Sequence, residues 1–342
     1  MSPEQNVSLA PLTTIGIGGP ARFFFRATSV DEVREALAWA GERPVFILGG
    51  GSNLLISDAG FDGVVIHVDL RGIVVESEDA YAMVRVAAGE PWDGFVAHAV
   101  ANGWAGIECL SGIPGSTGAT PIQNVGAYGQ EVAETVARVE ALDRTADRVV
   151  DFTNEGCRFG YRSSLFKNHE RDRYVVIAVT FRLKSGGRAT IRYPELQKYV
   201  DERGISTDDL QGVRDSVIAI RKRKGMVLDP NDPDTRSDGS FFMNPIVTRE
   251  QYEAFARVAP EAPHFPSGDD VKLSAAWLIE HAGFAKGFTY GNVGLSSKHS
   301  LAVINRGHGT AAEVVELVDM IQGKVREAFG VEIHPEPNFI GF

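Results

Sequence analysis

Gly112-Ile113-Pro114-Gly115-Ser116-Thr117-Gly118-Ala119-Thr120-Pro121-Ile122-Gln123-Asn124-Val125-Gly126-Ala127-Tyr128-Gly129 is a glycine-rich run without the period of a helix or a strand. Small residues let the backbone approach a ligand closely, while Ser116, Thr117, Gln123 and Asn124 supply donors and acceptors. Loops of this length with no secondary structure of their own are usually functional or disordered. Such a loop can wrap a planar, multiply hydrogen-bonding ring such as isoalloxazine, and its length favours ligand binding over a purely structural role.

Towards the N-terminus, Gly49-Gly50-Gly51-Ser52-Asn53-Leu54 follows directly on Val45–Leu48, which reads as a strand. Backbone N–H groups in such a run can converge on an anion, with Ser52 and Asn53 adding side-chain donors, an arrangement that suits a pyrophosphate. A structural turn explains the same residues. The dinucleotide fingerprint is not met, because Leu54 stands where its third glycine belongs. Ala21–Phe25 and Val64–Val68 read as further strands. Ser29-Val30-Asp31-Glu32 has the pattern of a capping box, opening a helix that runs to about Ala40 and stops at Gly41. Ile73–Glu76 and Met83–Ala87 read as a hairpin pair, and Pro91 opens a helix through Val100. Val136–Leu142 and Val175–Leu183 resume the strands. Thr207–Lys224 is a helix, after which Asp229–Gly239 is dense in turn formers, as a domain crossing would be. A helix over Leu273–Ala282, a strand over Leu301–Asn305, a helix from Thr310 to Gly330 and an extended tail Val331–Phe342 complete the chain.

A chain of 342 residues exceeds one ordinary core. With 44% hydrophobic and 23% charged residues it has the composition of a globular protein. The 45 acidic residues against 34 Lys and Arg give a net charge of -11, which argues against a nucleic-acid partner. No apolar run reaches bilayer length, so membrane insertion is not expected. Met1-Ser2-Pro3-Glu4-Gln5 lacks the basic flank of a secretory signal, and the two cysteines, Cys109 and Cys157, make no disulfide framework. The expectation is a cytoplasmic protein. Arg221-Lys222-Arg223-Lys224 stands out in this acidic background, either as solvated cations at a helix C-terminus or as a phosphate site.

Several chemistries fail on inspection. The eight histidines show no His-x-x-x-His spacing, so no metal is expected. A calcium loop over Asp234–Pro245 would need ligands where Arg236 and Pro245 stand. Neither Gly50–Leu54 nor Pro114–Gly118 completes a nucleophile elbow. Three candidates for chemistry remain. Arg162 lies in an aromatic-flanked stretch, Ser240 follows the Asp238-Gly239 turn, and Glu336 stands between two prolines that stiffen its support. An arginine, a hydroxyl and a carboxyl at one site would stabilise and protonate an enolate.

Taken together, Thr14–Ala21, Gly49–Leu54, Ser111–Glu131, Tyr161–Lys167, Gly239–Pro245, Lys272–Glu280 and Pro335-Glu336 give the chain a resemblance to the UDP-N-acetylenolpyruvoylglucosamine reductases along nearly its whole length. The resemblance implies an α+β fold. Residues 1–70 and 71–225 would be two subdomains of a vanillyl-alcohol-oxidase-type FAD-binding portion, with the tail 328–342 returning to the active site. Residues 226–327 would form a separate α+β substrate-binding domain. It further implies non-covalent FAD, NADPH as co-substrate, a UDP-sugar as substrate, and a monomer. NADPH would reduce FAD, hydride would pass to C3 of the enolpyruvyl ether, and Ser240 would deliver the proton to C2. Arg162 and Glu336 would stabilise the enolic intermediate. The first glycine loop would take the FAD pyrophosphate. From the second loop, Gly112, Ile113, Pro114, Gly115, Ser116, Gly118, Ala119, Gln123, Asn124, Gly126, Ala127 and Tyr128 would hold more of the cofactor, joined by Arg221.

The resemblance also implies that Tyr193, Lys224 and Asn244 contact the UDP portion, with His299 on the substrate side. Tyr193, in Arg192-Tyr193-Pro194-Glu195-Leu196, resembles the form of the family that closes a tyrosine-bearing loop over substrate, but Phe265 stands where that form often has a second tyrosine. Two other readings compete: another FAD-dependent oxidase or dehydrogenase of the same fold, and a non-catalytic nucleotide-sugar binder. The first leaves Ser240, Tyr193 and Lys224 without work.

Overall fold

Ser29 shows how local chemistry sets the elements. Its hydroxyl accepts from the Glu32 N–H at 3.2 Å, which satisfies an orphan donor and starts the helix Val30–Ala40. Gly41, at φ 58°, ends it. The computed structural model describes every residue from Met1 to Phe342 and divides into two compact units.

The first unit comprises Met1–Val7, Ala21–Gly50 and Asp62–Arg223. One sheet has the strand order Glu4–Ser8, Pro20–Ala27, Phe61–Val68, Val45–Leu48, the last two parallel with Val45 opposite Val64. A second sheet runs Arg148–Thr153, Val136–Asp143, Tyr174–Ser185, Tyr81–Ala87, Ile73–Glu78, all neighbours antiparallel. Alternation sorts its faces: Ala82, Val84 and Val86 point into the core, while Arg85 points out and pairs with Glu140 at 2.7 Å. The helices Trp92–Ala101 and Leu210–Arg223 contribute to the same core, where Trp92, Phe95 and Phe181 meet ring to ring at 5.0 to 5.9 Å. Burying each such ring contributes about 1.5–3 kcal/mol.

The second unit comprises Ser8–Pro20, Gly51–Phe61 and Lys224–Phe342. Two small antiparallel sheets carry it: Ile246–Val247, Asp270–Leu273, His264–Ser267, and Thr289–Tyr290, Val293–Leu295, Val303–Asn305. Helices Arg249–Val258, Ala275–His281 and Ala311–Phe329 share one apolar cluster with them. Ala311–Phe329 has a full capping box between Thr310 and Glu313 and ends at the left-handed Gly330. Asp58 adds a second cap, accepting from the N–H groups of Ala311 at 2.8 Å and Ala312 at 3.0 Å.

The fold is α+β as expected, with differences in detail. Residues 8–20, 51–61 and the tail 328–342 belong to the second unit. Leu54, read as the end of a loop, starts the strand Leu54–Ile56, which pairs in parallel with Asn338–Ile340. Leu273 closes a strand, so the helix after it begins only at Ala275. The strand expected over Leu301–Asn305 covers Val303–Asn305. Helices Pro194–Asp201 and Arg249–Val258 were not anticipated. No helix is long and apolar enough to cross a membrane.

Replacing Asp58 by Ala removes both extra cap bonds from Ala311–Phe329. The expected loss is about 1 kcal/mol of unfolding free energy, read as a lower urea midpoint at unchanged m-value. A midpoint equal to the parent's would show that the second cap contributes nothing.

Candidate functional site

In the first unit the two glycine loops touch. A Cβ at Gly50 would lie 2.5 Å from Gly115 Cα, and one at Gly49 would lie 2.6 Å from Ser116 Oγ, so no side chain fits between them. The N–H groups of Gly50, Gly115 and Ser116 donate to no protein acceptor, whereas those of Thr117, Gly118 and Ala119 bond to Glu90 O, Ala88 O and Ser116 O. The open donors therefore lie at the contact, a cradle of the kind that receives a phosphate. Gly118 is required by packing, since its Cβ would sit 2.5 Å from Ala88 Cβ.

Three further positions hold left-handed backbone: Asn124 (φ 48°), Tyr128 (φ 50°) and Arg162 (φ 51°). Each costs roughly 1–2 kcal/mol, and local bonds offset it. Asn124 Nδ2 donates to Glu131 Oε2 at 2.7 Å and Gly160 O at 3.0 Å, and its Oδ1 accepts from Ala133 N at 3.1 Å. Its side-chain amide is thus bonded within the protein. Arg162 Nη2 donates to Gly126 O at 2.9 Å, while Lys167 Nζ donates to Arg162 O at 3.0 Å. Gln123, Ile113 and Ala127 line the same loop, the last two packed on the core.

Tyr128 and Tyr193 pack edge to face, centroids 5.4 Å apart. Burial pushes the Tyr128 phenol up to about 12. Arg192 ties this corner to the loop's end, donating to Gly129 O at 3.0 Å and Glu134 Oε1 at 2.7 Å. Arg221 is half-buried, and desolvation lowers its pKa despite Tyr128 and Asp93 nearby. Lys222 and Arg223, in contrast, are exposed.

Sequence reasoning missed Asp93 and Arg214. Arg214 grips the Asp93 carboxylate with two bonds, 2.6 and 2.8 Å, and the same carboxylate accepts from Gly112 N at 2.6 Å. Burial alone would raise the Asp93 pKa, but these partners hold it below the usual range. The pair fixes the start of the second glycine loop. Nothing local in the sequence marks it, because Asp93 and Arg214 lie on different helices.

In the second unit Gly51, at φ 61°, packs so closely that a Cβ would meet Leu12 O. Asn53 O accepts from Asn338 N at 3.0 Å and Asn53 Nδ2 donates to Glu336 O at 3.3 Å. Glu336 N in turn donates to Phe241 O at 2.8 Å, next to Ser240, and Ser240 Oγ lies 3.3 Å from His299 Nε2. Asn53, Glu336, Ser240 and His299 are thereby brought together. Asn244 Oδ1 accepts from Ala275 N at 3.0 Å, so that oxygen anchors a helix. Lys224 follows the last residue of the helix Leu210–Arg223 and is half-buried. Ser52 is half-buried beside Asn53, and Phe265 is exposed, opposite Lys272 in the register of its sheet.

Asp238 also belongs to this unit. Its carboxyl is buried, Oδ1 accepts from Thr14 Oγ1 at 3.1 Å, the Leu54 N–H bonds to the group, and Oδ2 has no hydrogen-bond partner. Burial pushes its pKa up to about 8, against the smaller opposing effect of Thr14 and Leu54. Burial thus favours the protonated acid, and its contacts join Thr14 and Leu54 to the segment that carries Ser240.

A two-loop glycine cradle on an α+β framework is the site of an FAD-binding flavoprotein, and residues 21–152 match the model of an FAD binding domain. Residues 230–340 match the C-terminal domain of UDP-N-acetylenolpyruvoylglucosamine reductase. The reductase of that name from Thermobifida fusca is 48% identical, covering 98% of both chains. That of Cutibacterium acnes is 47% identical over 100% of this chain and 91% of its own. The solved structure of the Thermus caldophilus enzyme aligns over 99% of each chain with a TM-score of 0.69 at 26% identity. The protein is a flavin-dependent oxidoreductase. It belongs to the UDP-N-acetylenolpyruvoylglucosamine reductase family.

The raised pKa of Asp238 fixes a sign. The folded state holds a proton that the unfolded chain releases near pH 4, so stability is full below that pH and is lost as pH rises to about 8. Asp238→Asn keeps the shape and removes the titration. The unfolding free energy of the parent should fall relative to the variant by about 1.4 kcal/mol per pH unit between these limits. Parallel urea stability curves for the two proteins from pH 5 to 7 would mean that the carboxyl is not held neutral.

Proposed function

We propose that the chain reduces UDP-N-acetylglucosamine enolpyruvate to UDP-N-acetylmuramate at the expense of NADPH, as a cytoplasmic monomer supplying peptidoglycan precursors. The observation that carries this reading is the backbone bond from Glu336 N to Phe241 O at 2.8 Å, which holds a carboxylate and the Ser240 hydroxyl on adjacent segments. FAD, when bound, supplies the hydride for C3. The N–H groups of Gly50, Gly115 and Ser116 are fitted to its pyrophosphate, and the desolvated Arg221 gains most from an anion close by.

Hydride addition at C3 leaves charge delocalised onto the substrate carboxylate. In this reading the Arg162 guanidinium stabilises that charge and Glu336 holds the enol. Ser240 gives its hydroxyl proton to C2, a carbanion-like centre basic enough to take it. Tyr193, Lys224 and Asn244 hold the UDP portion, and Tyr193 starts from its edge-to-face contact with Tyr128.

In an anaerobic experiment, enzyme reduced with one equivalent of NADPH is mixed with UDP-N-acetylglucosamine enolpyruvate. Flavin absorbance should return at once. A flavin that stays reduced until oxygen is admitted would instead favour an oxidase of the same fold. Ser240→Ala should slow that return by about 10²–10⁴, and equal slowing of the NADPH step would remove Ser240 from the proton transfer. Lys224→Ala should raise KM for the UDP-sugar more than it lowers kcat; an unchanged KM would take Lys224 out of the site.

A further inference from the structure

A serine that gives up its proton becomes an alkoxide, a stronger base than any neighbour in the site, unless another proton reaches it in the same step. The 3.3 Å contact between Ser240 Oγ and His299 Nε2 supplies a donor in the right place. Backbone bonds lock both partners. Phe241 N donates to Leu301 O at 2.7 Å, which fixes the segment of Ser240 to the turn that carries His299. Within that turn Ala302 N donates to His299 O at 3.1 Å and Ser296 N to Ala302 O at 2.9 Å. Lys298 N donates to Ser296 Oγ at 3.0 Å, and Lys298 Nζ is paired with Asp232. His299 is half-buried, so the residue that contacts the Ser240 hydroxyl keeps some exposure to solvent.

We infer that His299 acts through Ser240 as a proton relay, its imidazolium Nε2–H passing to Oγ while the Ser240 proton passes to C2 of the substrate. This rests on Ser240 being the proton donor proposed above. The Ser240 O–H bond breaks and a C2–H bond forms. The His299 Nε2–H bond breaks and a new Ser240 O–H bond forms. The ring is left neutral and takes its proton back from solvent, and no electrons change hands. His299, expected on the substrate side, is in this reading a positioning residue for Ser240. The titratable groups on the elements packed around the pair are Lys298, Asp232, Asp234, Arg236, Asp238, His334 and Glu336.

The test compares wild type, His299→Gln and Ser240→Ala in single turnovers of the reduced holoenzyme with substrate, from pH 5.5 to 9, alongside imidazole NMR titrations of the resting protein. Gln keeps an N–H for Oγ but carries no titrating proton. The wild-type rate constant should fall as pH rises through an imidazole titration, the His299 resonance should be absent from His299→Gln, and its midpoint should move in Ser240→Ala. In His299→Gln the rate constant should be lower on the order of a hundredfold and flat with pH. A Gln variant that keeps the wild-type pH profile, or that restores the wild-type rate at every pH, overturns the relay while a slow Ser240→Ala leaves the serine in place. A Ser240→Ala enzyme as fast as wild type overturns the serine assignment, and the relay with it.

Discussion

The backbone of Phe241 is engaged on both sides: its N–H donates to Leu301 O and its carbonyl accepts from Glu336 N. In an interior that excludes water, neither bond can be given up without leaving a buried polar group unsatisfied. Three chain segments far apart in sequence are therefore held in register at one residue. Ser240 precedes it, Glu336 is bonded to it, and the turn bearing His299 is bonded to its other side. The side chain of Phe241 is wholly buried against Phe242 and Phe339, so packing and hydrogen bonding fix the same point.

In the first unit, backbone strain gathers in and beside the second glycine loop. Asn124, Tyr128 and Arg162 all adopt left-handed backbone, and each is anchored by bonds or ring contacts that the rest of its loop does not share. Strain of this kind persists only when the surroundings over-determine it. Arg214 and Asp93 serve the same end by fixing Gly112, and Arg192 does so at Gly129. The glycines at the loop contact act differently: they are there because two backbones meet with no room for a Cβ.

What was legible in the sequence was local. Ser29 with Glu32, Thr310 with Glu313, and Gly330 announced helix ends because a cap needs only residues a few positions apart. The two glycine loops were legible because small residues in long runs have few structural excuses. The illegible part was non-local. The strand Leu54–Ile56 exists only through its pairing with Asn338–Ile340, and a loop was the only reading its own residues allowed. Asp238 read as a turn former before a glycine, yet its burial depends on Thr14 and Leu54 from distant segments. The amides of Asn124 and Asn244 hold backbone that a sequence does not show.

The pairing of Leu54–Ile56 with Asn338–Ile340 has a consequence for how the molecule is made. Ribosomes add residues at about 5–20 per second, and domains generally fold as the chain emerges. The segments Ser8–Pro20 and Gly51–Phe61 leave the ribosome early, but the rest of their unit, from Lys224 onward, is made much later. The two stretches bond to each other, Thr14 N to Gly51 O and Gly19 N to Ser57 O, but the strand Leu54–Ile56 stays unpaired until Asn338–Ile340 is made. The first unit, by contrast, has all its residues once Arg223 has emerged. Birth order thus makes the second unit the later assembly, because Asn53 O receives its bond from Asn338 N only after the first unit has been made in full.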